Sequence, residues 1–210
     1  MSGISAQGST LQVATGTGGA KTITAITVGF PAIVTSAAHG LNNGDVVTLA
    51  GIVGTMSSLN GTSRVVSNKT TNTFALLDAD TTGLVYTSGG TATPVTYTKI
   101  NGLLTFSGFD GAPSELDTTD LDSTAMEYIA GLKDEGKFGF EIKILKTDAG
   151  QISVRAARTS GALTGFKLTL PDTSVATFNA LVKTFPSSGA VNAVLKGSVD
   201  TKISGPVVWS

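Results

Sequence analysis

The chain has 210 residues, a formal charge of −1 and only 14% charged residues, well below the roughly 25% of an ordinary soluble domain. It contains no cysteine, which excludes disulfides, thiolate nucleophiles and thiolate-bound metal centres. The small net charge argues against a general nucleic-acid binder with a basic face, and no run reaches the ~18 apolar residues of a membrane-spanning helix.

The opening stretch MSGISAQGST has neither a basic start nor an apolar core, so no signal peptide is expected. STLQVATG (9–16) alternates as a short strand and runs into TGTGGAK, a Gly-rich joint. That joint is not a phosphate loop. Thr15 and Ala20 occupy the two glycine positions, and the ITAITV that follows has the period of a strand where the anion site needs a helix. From about residue 22 to 92, short β-rich runs alternate with turn signals, Asn43-Gly44 and Asn60-Gly61 among them, and end in YTSGGTA. This is the pattern of a small all-β module. The only histidine, His39, lies here without a G-x-S-x-G elbow to present a serine, and is expected to be structural.

Beyond residue 93 the chain changes character. PVTYTKINGLLTFSGFDG is strand-like, and then comes PSELDTTDLDST (113–124). With Asp110 this stretch gathers Asp110, Glu115, Asp117, Asp120 and Asp122 and no base. Aligned as a calcium loop from Asp120, it has Ala125 at the obligatory glycine and Gly131 at the bidentate glutamate, so calcium is not expected. Paired-carboxylate glycoside chemistry would want aromatic platforms, and the chain is 6% aromatic. Leu116 and Leu121 sit among the acids, which suggests a loop that orders on meeting a neighbour.

KFGFEIKILK (137–146) then alternates: Phe138, Phe140, Ile142 and Ile144 against Lys137, Glu141 and Lys143, a strand with one buried face. DAGQISVRAARTSG is the one convincing helix, with Asp148 as cap, Gln151 three residues on and Gly161 as terminator. GFKLTL sets Phe166, Leu168 and Leu170 on one face. VATFNALVKTF follows, and VLKGSVDTKISG sets Leu195, Val199 and Ile203 against Lys196, Ser198, Asp200 and Lys202. The expected fold is mainly β within the α+β class: an antiparallel sandwich or barrel with one helix (1–21 and 93–210), plus a small inserted β-barrel (22–92).

SELDTTDLDSTAMEYIAGLKDEG, FNALVKTFPSSGAVNAVLKGSVDTKISG and the closing WS resemble the major tail tube proteins of long-tailed, lambda-like bacteriophages. The likeness spans about 93–210, with STLQVATG as a displaced first strand. Residues 22–92 resemble a small β-barrel found in phage tail proteins and named after a half-domain of ubiquitin-activating enzymes. Its position near the N-terminus departs from the lambda-like order, in which the extra domain follows the tube domain.

The resemblance implies a structural virion subunit without catalysis, metal or cofactor. It implies hexameric rings whose sheets join across copies and stack into a tube for genome passage, assembled in the host cytoplasm. Implied partners are further copies of the chain, the tape-measure, tip and terminator proteins, and DNA passing without specific binding. It also implies that the acidic loop is the inter-ring element, with Asp110, Glu115, Asp117, Asp120 and Asp122 facing basic groups and Leu116 and Leu121 as anchors. The polar sets Lys137, Glu141, Lys143 and Lys196, Asp200, Lys202 are the candidates for the lumen. A second reading makes 22–92 a displayed binding or adhesion module.

Overall fold

The computed structural model describes Gly3 and residues 5–210. Met1, Ser2 and Ile4, part of the opening stretch read for a signal peptide, lie outside the described residues. The chain divides into two compact units, 14–97 with 208–210 and 1–13 with 98–207. The sequence placed the joints at 21/22 and 92/93. β1 (Thr10–Thr17) takes in the first residues of the Gly-rich stretch, and within the smaller unit the Gly18 amide donates to the Pro94 carbonyl at 2.7 Å. A Cβ on Gly18 would lie 2.9 Å from Pro94 Cγ, so glycine here permits close strand approach rather than flexibility.

The smaller unit contains β2 (Lys21–Thr22), β3 (Ala25–Ile26), β4 (Ala32–Thr35), β5 (Val46–Ala50), β6 (Val53–Gly54), β7 (Ser63–Ser67), β8 (Thr73–Leu76), β9 (Tyr86–Ser88) and β10 (Thr91–Lys99). Pairing runs β2-β10-β5-β7-β8-β4-β3. The two ends of that order are consecutive in the chain. Ile23 N donates to Gly90 O and Thr24 N to Thr35 O, each at 2.9 Å, and the sheet thereby closes into a small barrel, as the turn spacing implied. Val34, Val47, Leu49, Val66, Phe74 and Leu76 fill it. Asn60 caps an open backbone pair, its amide oxygen accepting from Ile52 N and its Nδ2 donating to Ile52 O, both at 2.9 Å.

In the larger unit, β11 (Leu103–Gly108), β12 (Glu115–Asp117), β13 (Tyr128–Ala130), β14 (Lys137–Lys143), α1 (Ala149–Ser160), β15 (Leu163–Thr169), β16 (Val175–Thr184), β17 (Ser187–Ser188) and β18 (Lys196–Ile203) follow. The antiparallel order is β11-β14-β18-β16-β15-β1. β1 pairs with β15, Leu11 opposite Leu168 and Val13 opposite Phe166. One face of the sheet carries Phe138, Phe140, Ile142, Phe166, Phe178 and Val199, which pack with Val154 and Ala157 of α1. Phe138 lies 5.0 Å and Phe166 5.7 Å from Phe178, ring centre to ring centre. Leu195 is an exception to the sequence pattern. It precedes β18 and is 47% exposed, because Gly197 is the first inward position of that strand and Phe185 occupies the space above it. Among the described residues no helix is long and apolar enough to cross a membrane.

α1 begins as expected, with the Asp148 side chain accepting from Gln151 N at 2.9 Å, and ends at Gly161 in the left-handed conformation, φ 65°. Gln151 does more than a capping residue. Fully buried, it accepts from Leu145 N at 2.9 Å and donates to Asn101 O and Lys143 O at 2.8 Å. Asp148 also takes the Asn101 Nδ2 at 2.6 Å. These bonds fasten the first turn of the helix to the loops flanking β11 and β14. Replacing Gln151 by Leu strands buried backbone groups and is expected to cost about 2–5 kcal/mol in chemical denaturation. An unchanged unfolding midpoint would show that the amide is not holding the helix.

Candidate functional site

The acidic stretch is not a shapeless loop. It forms an arm that continues β11 and β14 outward as the β12–β13 hairpin, pairing Glu115 with Ala130, Leu116 with Ile129 and Asp117 with Tyr128. Thr118 N to Glu127 O at 2.9 Å and Ser114 N to Leu132 O at 3.1 Å extend the ladder at both ends. The sequence hid this hairpin because each strand is only three residues long and acids interrupt the alternation.

Several carboxylates of the arm shape the arm itself. Asp110 accepts the Lys137 amide at 3.0 Å where the arm leaves the sheet. Asp117 accepts from Thr119 N at 2.9 Å, and Asp120 from Asp122 N at 2.9 Å and Ser123 Oγ at 3.1 Å. These are turn bonds of the kind that short acidic side chains favour. Asp134 ties the base of the arm to the sheet through Lys202 at 2.6 Å. Gly111 and Gly136 permit the close crossing there, since a Cβ on Gly111 would strike the Asp134 carbonyl. No three acidic or histidine side chains come together in a metal-binding arrangement among the described residues.

The apolar residues of the arm point to its use. Leu121 is fully exposed, Leu132 is 89% and Met126 68% exposed, and Leu116, Tyr128 and Ile129 are about half exposed. The sequence reading found Leu116 and Leu121 but missed Met126, Tyr128, Ile129 and Leu132, which lie beyond the acidic run that drew attention.

The six lumen candidates fall on one surface. β14 and β18 pair Lys137 with Lys202, Gly139 with Asp200, Glu141 with Ser198 and Lys143 with Lys196. All six candidate side chains are exposed, while the alternate residues Phe138, Phe140, Ile142, Val199 and Ile203 are buried. Thr184 Oγ1 donates to Asp200 at 3.1 Å beside a bulge at Lys183. This ribbon carries four lysines against Glu141 and Asp200, and Asp134 partners one of the lysines, Lys202.

One margin of the sheet is open. β11 pairs with β14 on one side and, among the described residues, with no strand on the other. Leu104 bulges from it and is 38% exposed. A groove of ≈ 640 Å³ lies along this edge, lined by residues 6–9 and 103–106. A margin of unpaired amides and carbonyls is a template for another strand.

His39 is 1% exposed; Nδ1 accepts from Leu41 N at 3.0 Å, so Nε2 carries the proton toward Thr73 O at 3.3 Å, and the ring packs edge-on to Phe74 at 5.0 Å. Both nitrogens are used in holding the barrel.

The family model described as the ubiquitin-activating enzyme E1 FCCH domain matches residues 30–96, within the smaller unit. With no cysteine in the chain, thioester chemistry has no nucleophile here, and the likeness concerns the barrel. No curated protein matches. Among solved structures, the chain is similar to the tail of an empty GTA particle with C6 symmetry, at 16% identity and TM-score 0.47, covering 54% of this chain and 86% of that one. It is also similar to the six-fold symmetrised baseplate of the anti-feeding prophage, at 9% identity and TM-score 0.44, covering 81% and 94%. At these scores the likenesses carry no information about activity.

The base of the arm should respond to acid. The Lys137 amide holds the Asp110 carboxyl below its ordinary value of 3.8, and the Lys202 ammonium, then the Gly136 amide, do the same for Asp134. Depressed pKa values stabilise above the unfolded value and lose that contribution as pH falls through the folded one. The amide resonances of Lys137 and Gly136 are therefore expected to titrate with midpoints below 3.8. Midpoints at or above it would remove these bonds from the account.

Proposed function

We propose that the chain is a structural subunit of a phage tail that assembles with copies of itself into stacked rings around a channel, as its sequence resemblance to tail tube proteins implies. The observation that carries the reading is the combination, among the described residues, of the open β11 margin with an arm that leaves Leu121, Met126 and Leu132 largely exposed and Leu116, Tyr128 and Ile129 half exposed. An isolated soluble subunit gains nothing from either feature. A subunit that completes its sheet and buries its arm against neighbours needs both.

In this reading the Lys137–Lys202 ribbon faces the channel and the arm bridges rings. A polar ribbon of mixed charge with a modest positive excess holds a polyanion weakly and in a salt-sensitive way, which suits passage better than capture. The barrel of the smaller unit is then a displayed module, and the tape-measure, tip and terminator proteins are partners at the ends of the tube.

Negative-stain imaging and sedimentation of the purified chain are expected to show rings or tubes. Leu116→Ser with Leu121→Ser should leave a folded subunit that no longer stacks, because each leucine buried is worth about 1.5–3 kcal/mol. Persistent monomers of the unaltered chain at high concentration would refute the assembly reading. Normal tubes from the double variant would refute the role of the arm.

A further inference from the structure

The assembly reading leaves open where the arm lands, and we propose, resting on that reading, that it docks on the α1 face of a second copy. The arm presents apolar side chains among carboxylates, with Glu115, Asp117, Asp120, Asp122 and Glu127 and no base between residues 111 and 132. A receiving surface must therefore be apolar and basic together, since charge without apolar cover leaves the arm's leucines in water and apolar cover without charge leaves its acids unpaired.

The α1 face has both properties. Ile152 and Leu145 are about half exposed, as is Leu195. Their backbones lie close in the fold: Ile144, next to Leu145, donates its amide to Leu195 O at 2.9 Å, and Leu145 N donates to the side chain of Gln151, the residue before Ile152, at 2.9 Å. Arg155, one helical step beyond Ile152 and on its side of the helix, lies with its guanidinium 5.0 Å from the centre of the Phe185 ring. Arg158 and Lys146 are exposed beside this stripe. Ala149–Ser160 contains no acid, and the carboxylate of the capping Asp148 is already engaged by Gln151 N and Asn101 Nδ2.

A second basic surface, the lysine ribbon of β14 and β18, fits less well. Its side chains between Lys137 and Lys202 alternate Lys, Glu, Ser and Asp around a bare Gly139. It offers the arm no exposed leucine, isoleucine or aromatic side chain on either strand. It also has its own acids, Glu141 and Asp200, which would face those of the arm. The ribbon meets the charge requirement alone, and the α1 face meets both.

The absence of native cysteine makes a direct test available. Full-length Leu121→Cys and Ile152→Cys variants, carrying different tags, are mixed under assembling conditions and treated with a short bismaleimide. A covalent pair containing both tags through residues 121 and 152 is expected, and a Ser198→Cys copy on the ribbon should link to Leu121→Cys far less. In parallel, Arg158→Glu should weaken assembly by about tenfold, and Asp122→Lys in the same chain should restore part of the loss. If the cysteine variants sediment as assemblies like the unaltered chain but the 121–198 link dominates, or the 121–152 link is missing, the docking site is wrong while the assembly reading stands. If the unaltered chain stays monomeric and no link forms, both fall.

Discussion

The seven-residue ladder between β14 and β18 is the constraint on which the rest depends. Its register points Phe138, Phe140, Ile142, Val199 and Ile203 into the core and leaves Lys137, Glu141, Lys143, Lys196, Asp200 and Lys202 outside. A slip of one residue would exchange the two sets. Thr201, buried, locks the register by donating its hydroxyl to the Phe138 carbonyl at 2.8 Å. Because α1 is tied by Gln151 to the loop after β14 and to the turn before β11, the same ladder also fixes where the helix sits and where the arm begins.

That arrangement leaves a sheet satisfied on one face and unfinished at one edge. The chain is sparsely charged, yet it concentrates acids on the one element that also exposes six large apolar side chains. In the proposed assembly the two properties work together: the carboxylates bend the turns of the arm, and the apolar residues supply contact area once a neighbour covers them. Both are costs in a lone subunit and gains in an assembly.

Much of this was legible in the sequence, and the limits follow from physics. The strands over 137–146 and 196–203 were readable because one face is buried and the period of two is clean. The helix was readable from Asp148 and Gly161, but Gln151's reach to Asn101 and Lys143 depends on chain brought together from elsewhere. The small barrel was visible as spaced turns, while its closure through residues 21–26 was not, because those strands are two residues long. The arm was seen as an acidic loop; its hairpin rests on three cross-strand pairs, a signal too short for any periodicity. The close approach of Gly18 to Pro94 was not legible, since glycine that permits close packing and glycine that permits motion look alike in a sequence.

The most direct test of the central claim is hydrogen exchange at β11 in the assembled particle compared with the subunit held apart by dilution. The account predicts that amides of 103–108 facing away from β14 exchange quickly in the lone subunit and slowly once particles form. Protection of those amides that is already complete in the monomer, or that assembly leaves unchanged, would contradict it.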